Sequence, residues 1–338
     1  MAESKDKLLL GPAGLVFQTP VRAKKQRRSS SAQKSGLSRA QQMNAALGRI
    51  GRVAGRRPEV MVKITGSARG RRSLREHLAY ITRNGKLVTE REDGTLIAGA
   101  ANVRSLAEEW WSEASVDRPG RARDTINLIL SMPSGTDPRA VAEAARAFAR
   151  KNFGGEHDYL LAHHSQGTDP KQPENPHAHL SVLTRGRNGQ RLDPRKNDLQ
   201  AWRDAFALEL RARGIAAEAT PRRMRGVVQK GQRQEIRHMD ARRASRVTQW
   251  KLQQAVKTLT SGKDEASSFA KTAKERQRKT LRAWNMLTAA FEEAGQVALA
   301  QEIKQFVSAM PSALTEREHF IAKAKKLMEE RNRDRVIK

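Results

Sequence analysis

Residues 159–183 read YLLAHHSQGTDPKQPENPHAHLSVL. Two apolar, β-favouring runs flank a loop that holds Pro170, Pro173 and Pro176. Residues i and i+2 of a strand point to the same face, so His177 and His179 project side by side. His163 and His164 end the preceding run, and antiparallel pairing of the two strands brings a third imidazole beside that pair. Five of the eight histidines, starting with His157, fall between 157 and 179. Three imidazoles in a chain without cysteine suit a divalent transition metal, or a magnesium or manganese site completed by substrate oxygens. The alternative is an exposed polar sheet face that holds no ligand.

The sequence on either side supplies the rest of such a sheet. Residues 59–65 (EVMVKIT) and 124–132 (DTINLILSM) read as strands, the second apolar enough to be buried. In residues 73–85 (SLREHLAYITRNG), Leu74, Leu78 and Ile81 share one helical face, Ser73 and Glu76 have capping-box spacing, and Gly85 is the stop. Asp93-Gly94, between apolar stretches, signals a hairpin. Residues 102–114 read as a helix with Val103, Leu106, Ala107 and Trp110 on one face. A further helix opens at Asp137-Pro138 and closes at Gly154. Residues 197–214 turn Leu199, Trp202, Phe206 and Leu210 inward, with Gly214 as C-cap.

Strand pairs mixed with helices, without repeated strand–helix–strand units, predict an α+β fold: an antiparallel sheet with flanking helices. Beyond about residue 240 the chain reads as helical throughout. Val247, Trp250 and Leu252 mark one segment, Leu281, Trp284, Leu287 and Phe291 the next, and Thr315 with Glu318 caps the last. The expected organisation is a disordered basic arm over 1–56, carrying RAKKQRRSSSAQKSG (22–36), a sheet domain over 57–239 and a helical region over 240–338.

Lys and Arg number 65 against 36 Asp and Glu, a net charge of +29. That surplus predicts a polyanionic partner, nucleic acid first, against the plainer reading of a solvated basic surface. No apolar run reaches the roughly 20 residues that span a bilayer, so membrane insertion is not expected. LLLGPAGLVF (8–17) is short, broken by Gly11-Pro12 and preceded by Glu3 and Asp6, which makes a poor secretory signal. The absence of cysteine fits a cytoplasmic protein.

A metal beside a phosphodiester acts as a Lewis acid and leaves the attack to a separate nucleophile. Without cysteine, the candidates are Ser, Thr, Lys and Tyr. Of the two tyrosines, Tyr159 lies in a core-like strand. Tyr80 lies off the Leu74/Leu78/Ile81 stripe, on a polar face with Glu76 and Arg83. A phenol with a pKa near 10 needs a cation or metal nearby to attack at neutral pH. The plainer reading of Tyr80 is an ordinary residue of an amphipathic helix.

Four blocks, in order, resemble the DNA relaxases of conjugative and mobilisable plasmids, in the branch related to the T-DNA border nuclease and within the HUH endonuclease superfamily. They are LREHLAYITRNGKL (74–87), LILSMPSGTDPRAV (128–141), the histidine stretch, and RLDPRKNDLQAWRDAFALELRARGIAAEATPRRMRG (191–226). The resemblance covers about residues 57–240. It implies that Tyr80 attacks the scissile phosphate of single-stranded DNA at a nic site and stays joined to the 5′ phosphate. Reversal rejoins the ends. It further implies that His177 and His179 hold a magnesium or manganese ion with His164, five residues after Tyr159, as third ligand. His163 is the fallback, and strand alternation allows only one of the two.

Gln166 stands where the family has an acid, so Asp169 or Glu174 is the expected proton acceptor. Ser131 or Ser134, with Arg83, Arg222 and Arg225, is expected on the DNA backbone. The implied partners are single-stranded and supercoiled plasmid DNA at an origin of transfer, relaxosome accessory proteins and a type IV coupling protein. Lys323, Arg331, Arg333 and Arg335 resemble the C-terminal pattern of some type IV secretion substrates, which implies export with the DNA; a fraying charged helix end is the alternative. Two other readings compete: a rolling-circle replication initiator, and a non-catalytic DNA-binding accessory protein in which Tyr80 and the histidines are dispensable.

Overall fold

The computed structural model describes residues 39–116, 120, 122–165, 174–228, 231–232, 234–242, 245–261 and 268–336. They fall into two compact units: residues 56–219, and a second unit formed by the chain up to residue 55 together with residues 220–338.

The first unit is built on a six-stranded antiparallel sheet. Its strands are β1 (Met61–Gly66), β2 (Thr89–Arg91), β3 (Leu96–Ile97), β4 (Thr125–Ser131), β5 (Tyr159–His164) and β6 (His177–Leu183), in the order β1-β4-β6-β5-β2-β3. Alternation along the strands sorts the side chains onto two faces. Val62, Leu128, Leu130, Leu161, Leu180 and Val182 face α4 (Pro138–Phe153) and α5 (Lys196–Arg211), where Phe148, Phe153, Trp202, Phe206 and Leu210 complete a core. Each such side chain, fully buried, contributes about 1.5–3 kcal/mol. On the other face, α2 (Arg71–Ile81) and α3 (Ala100–Ser115) lay Leu74, Leu78, Ile81, Leu106 and Trp110 against Leu160, Ala162 and Leu183. No residue of β1 or β4 belongs to that second core.

The predicted elements form, with local differences. The hairpin turns at Asp93-Gly94, with Gly94 at φ 87°. Asp137 caps α4 by accepting from the N–H groups of Arg139 and Ala140, and Pro138 follows it. By contrast α2 does not start at Ser73. It starts at Arg71 after Gly70 (φ 88°), whose N–H donates to the Asp124 carboxylate at 2.5 Å. Glu76, released from a capping role, pairs with Arg72 at 2.8 Å. A contact made 54 residues away overrides the local capping signal.

The second unit is helical: α1 (Arg39–Ala54), a 3-10 turn (Arg222–Arg225), then α6 (Gln234–Ala241), α7 (Arg246–Ser261), α8 (Ser268–Glu293), α9 (Val297–Ser308) and α10 (Glu316–Val336). Two expectations change here. Residues 39–54, read as part of a disordered arm, form α1, because Ile50, Val53 and Ala54 pack with Trp284, Leu287, Phe291, Ile303 and Phe306. The helical unit also begins at Thr220 rather than at 240. Met224 lies in its core, and its carbonyl accepts from Trp284 Nε1 at 2.8 Å. Thr315 and Glu318 make the predicted capping box. Val247 and Trp250 are exposed.

Gly85 closes the turn after α2 at φ 80°, and a Cβ there would stand 2.3 Å from the carbonyl carbon of Gly99. Gly85→Ala therefore meets both left-handed backbone strain, about 1–3 kcal/mol, and a backbone clash. Thermal unfolding is expected to show a clear loss of Tm, which an exposed substitution such as Leu208→Ala does not reproduce.

Candidate active site

Register decides which imidazoles meet. In the β5–β6 ladder His164 stands opposite His177, and Ala162 opposite His179. His164, His177 and His179 therefore share one face, with ring centroids 4.8–5.2 Å apart. Each offers one ring nitrogen, and these atoms lie within 4.8 Å of one another. His163, opposite Ala178 in the same ladder, points to the other face.

Backbone carbonyls set the tautomers. A carbonyl only accepts, so His164 Nε2–H donates to Ile81 O at 2.7 Å, and Nδ1 carries the lone pair. His177 Nδ1–H donates to Asn175 O at 2.9 Å, which leaves the lone pair on Nε2. Burial pushes His179 down to about 3, helped by the neighbouring His164, His177 and His77 rings and by Arg83. Burial also lowers His177. Two of the three rings, His164 and His177, thus have their second nitrogen held by a carbonyl, the kind of outer contact that orients a metal-binding imidazole. The three residues fit a divalent ion.

Tyr80 sits at the edge of this cluster. It is 58% exposed, and its ring meets His179 edge-on, centroids 6.1 Å apart. The C-terminus of α2 aims it. Thr82, the C-cap, donates its hydroxyl to Leu78 O and accepts from Gly85 N–H. Arg83 and Asn84 then take positive φ, 53° and 56°. That reversal brings the Arg83 guanidinium back over Tyr80, 5.4 Å from the ring centroid.

Other expected residues fall in different places. Ser131 pairs opposite His177 on β4, so it borders the cluster, but it is 3% exposed and its hydroxyl donates to Met132 O. Ser134 is exposed in the following turn. Glu174 is exposed three residues before His177 and is not in the histidine cluster. Asp169 and Gln166 lie outside the described residues. Arg222 and Arg225 belong to the helical unit, on its 3-10 turn. His157 is structural: its Nδ1 bonds Leu183 O. The sequence reading passed over His77, one helical turn before Tyr80. Its buried Nε2 has no hydrogen-bond partner among the described residues, and burial lowers it to about 4. The i, i+3 spacing from Tyr80 was the available signal.

Residues 80–214 match the family model described as relaxase, MobA/VirD2-like, nuclease domain. Over that span the chain is similar to a relaxase nuclease domain. The match opens at Tyr80 and contains all three clustered histidines. Among curated relatives, the T-DNA border endonuclease VirD2 of Rhizobium radiobacter is 28% identical over 218 residues, which covers 58% of this chain and 49% of that protein. The 43 kDa relaxation protein of Salmonella typhimurium is 28% identical over 132 residues, 37% of this chain and 35% of that one. The matched part thus spans half or less of each relative's length. A solved structure from work on vancomycin resistance transfer in Staphylococcus aureus covers 49% of this chain and 99% of that one, at 16% identity and a TM-score of 0.31.

Two measurements check the histidines of this region. Manganese binding, followed by the loss of free-ion EPR signal, is expected to weaken at least about tenfold in His164→Ala, the scale on which metal sites respond even to outer-partner loss, and to be unchanged in His163→Ala. Burial also pushes His163 down to about 4. The unfolded chain takes up that proton near pH 6.5 and the folded chain only near 4, so stability falls as pH is lowered through that window. His163→Gln is expected to lose less Tm than the wild type between pH 7 and pH 4.5.

Proposed function

We propose that this chain cuts and rejoins one DNA strand at the nic site of a plasmid origin of transfer through a 5′-phosphotyrosyl intermediate, and pilots that strand in conjugative transfer. The observation that carries the reading is the edge contact between Tyr80 and His179 in a three-histidine cluster tied to the tyrosine helix through Ile81. A phenol beside a cluster of three imidazoles has a use in phosphoryl transfer and little use in packing.

His164, His177 and His179 would hold a magnesium or manganese ion, which when bound supplies Lewis-acid polarisation of the scissile phosphate. Tyr80 Oη attacks phosphorus, the bond from phosphorus to the 3′ oxygen breaks, and a bond from phosphorus to Oη forms. The tyrosine proton passes to an acceptor, Asp169 or Glu174, and the 3′ oxygen leaves as a hydroxyl after taking a proton from solvent. Arg83 brings positive charge to the place where the transition state gathers negative charge. Reversal of these steps rejoins the strand. The reaction belongs to residues 56–219. The helical unit, with Arg222 and Arg225, serves DNA and the partners of transfer, namely relaxosome accessory proteins and a type IV coupling protein. We place the protein in the cytoplasm, with export alongside the DNA. No helix among the described residues is long and apolar enough to cross a membrane.

The test incubates the protein with its supercoiled parent plasmid and magnesium or manganese, then denatures with SDS and protease. Site-specific nicks with a blocked 5′ end are expected. They should be lost in Tyr80→Phe, in the His177→Ala/His179→Ala double variant and with EDTA. Nicking that survives Tyr80→Phe would overturn the assignment of the nucleophile. DNA binding without any nicking would turn the reading towards an accessory protein.

A further inference from the structure

Residues 222–225 carry three arginines on one 3-10 turn, and the helical unit fixes that turn from several sides. Met224 is buried in the core, with its carbonyl on Trp284 Nε1. Gly226 follows at φ 67°, where a Cβ would stand 2.9 Å from the Met310 sulfur. Its carbonyl accepts from Gln277 Nε2 at 2.9 Å. Burial lowers the Arg223 guanidinium from its usual value, and the neighbouring Arg276 lowers it further. Packing thus holds positive charge together here against its own repulsion.

Arg222 and Arg225 line a cavity of about 650 Å³ bordered by residues of α6, α7 and α10, a size usual for small-molecule sites. Lys323 and Phe320 of α10 line it too. Its two carboxylates are already engaged. Asp240 accepts from Thr248 Oγ1 at 3.0 Å and from Gln232 Nε2, and Glu316 pairs with Lys251. Arg222 makes no ion pair among the described residues, and Lys323 acts on Asp240 only from beyond ion-pair distance. The Arg222 guanidinium lies against Gly231, where a Cβ would come 2.8 Å from it. Phe320 is half-buried, with the Lys251 ammonium 5.7 Å from its ring centroid. The cavity therefore combines two cations that lack a carboxylate partner with an aromatic ring.

We propose that this cavity binds a nucleoside phosphate, with the phosphate on Arg222 and Lys323 and the base against Phe320. A guanidinium matches phosphate oxygens in pairs, and an ammonium adds a point charge. Every base has a π-face, so an aromatic ring takes bases without needing a particular sequence. An inorganic anion would leave the ring and most of the volume unused. A free nucleotide and a nucleotide within a single strand present the same chemistry. The site gives the helical unit a ligand of its own and does not depend on the reaction proposed for Tyr80.

The chain contains no cysteine, so a single introduced thiol reports on one place. His319 is exposed and lines the cavity. The full chain with His319→Cys would be reacted with a maleimide, with Leu208→Cys, exposed on α5, as the control. 5′-dAMP is expected to slow labelling at position 319 several-fold and to leave position 208 unchanged. Deoxyadenosine alone and inorganic phosphate alone should slow it less. Adding Lys323→Ala or Phe320→Leu should abolish the protection, and Lys323, being exposed, can be replaced without disturbing the core. An oligodeoxyadenylate separates the sources: protection by it and not by dAMP assigns the site to a strand, and the reverse to a free nucleotide. Equal protection by phosphate and dAMP would overturn the nucleotide assignment and leave an anion site. Labelling unchanged by every ligand, or protection that survives Lys323→Ala, would overturn the site itself. Nicking of the parent plasmid by the wild-type protein is scored separately. Nicking without protection at position 319 removes the cavity alone, and protection without nicking removes the nicking reading and leaves the cavity.

Discussion

The hydrogen bond from His164 Nε2 to Ile81 O joins everything else in the site. Its donor is the third imidazole of the cluster, and its acceptor is the residue immediately after the tyrosine. The bond is 2.7 Å long and lies where His164 is fully buried, so breaking it leaves an imidazole N–H unsatisfied, at about 1–3 kcal/mol. The contact also does chemical duty, because the proton it places on Nε2 leaves Nδ1 to face the other two rings. One bond therefore sets the tautomer of His164 and ties the helix of Tyr80 to the sheet. The carbonyl comes from the last turn of α2, where helix carbonyls lack intrahelical partners. The end of the helix and the edge of the cluster each supply what the other needs.

The remaining architecture holds that bond in place from two sides. Behind the sheet, α4 and α5 bury an apolar layer that fixes β4, β5 and β6 in register. In front, Leu74, Leu78 and Ile81 anchor α2 while its polar face keeps Tyr80 at the surface. The two left-handed residues after Thr82 cost strain, and they persist because Gly85 lies against the backbone of Gly99 and its carbonyl accepts from Gly99 N–H. Tyr80 and the three imidazoles are thus placed by the fold itself.

Much of this was legible in the amino-acid order. Alternation alone put His177 and His179 on one face and allowed just one of His163 and His164 beside them. The stripe Leu74/Leu78/Ile81 identified the buried side of α2 and so left Tyr80 outside. What escaped depended on contacts distant in the chain. The start of α2 rests on Asp124, and α1 exists because α8 and α9 offer it a face, although Ile50, Val53 and Ala54 carry a helical spacing that Gly48, Gly51 and the basic tract before them obscured. His77 was passed over because a lone helical histidine has no meaning until the sheet beneath it is known. The expected acid could not be fixed from the order of residues either: Glu174 is exposed on the approach to β6, and proximity in sequence to His177 did not make it part of the cluster.

The pairing of His164 with His177 also governs how this segment tolerates insertion and deletion. The strands leave and rejoin the sheet at directly opposed residues, so the connection between them can lengthen or shorten with no effect on which imidazoles meet. A single residue lost from within Tyr159–His164 is a different matter. The pleat would turn the terminal histidine to the far side of the sheet and bring its neighbour round in its place. Variation in length thus leaves the imidazole trio intact on one side of His164 and breaks it on the other, and natural variants of this protein should respect that boundary.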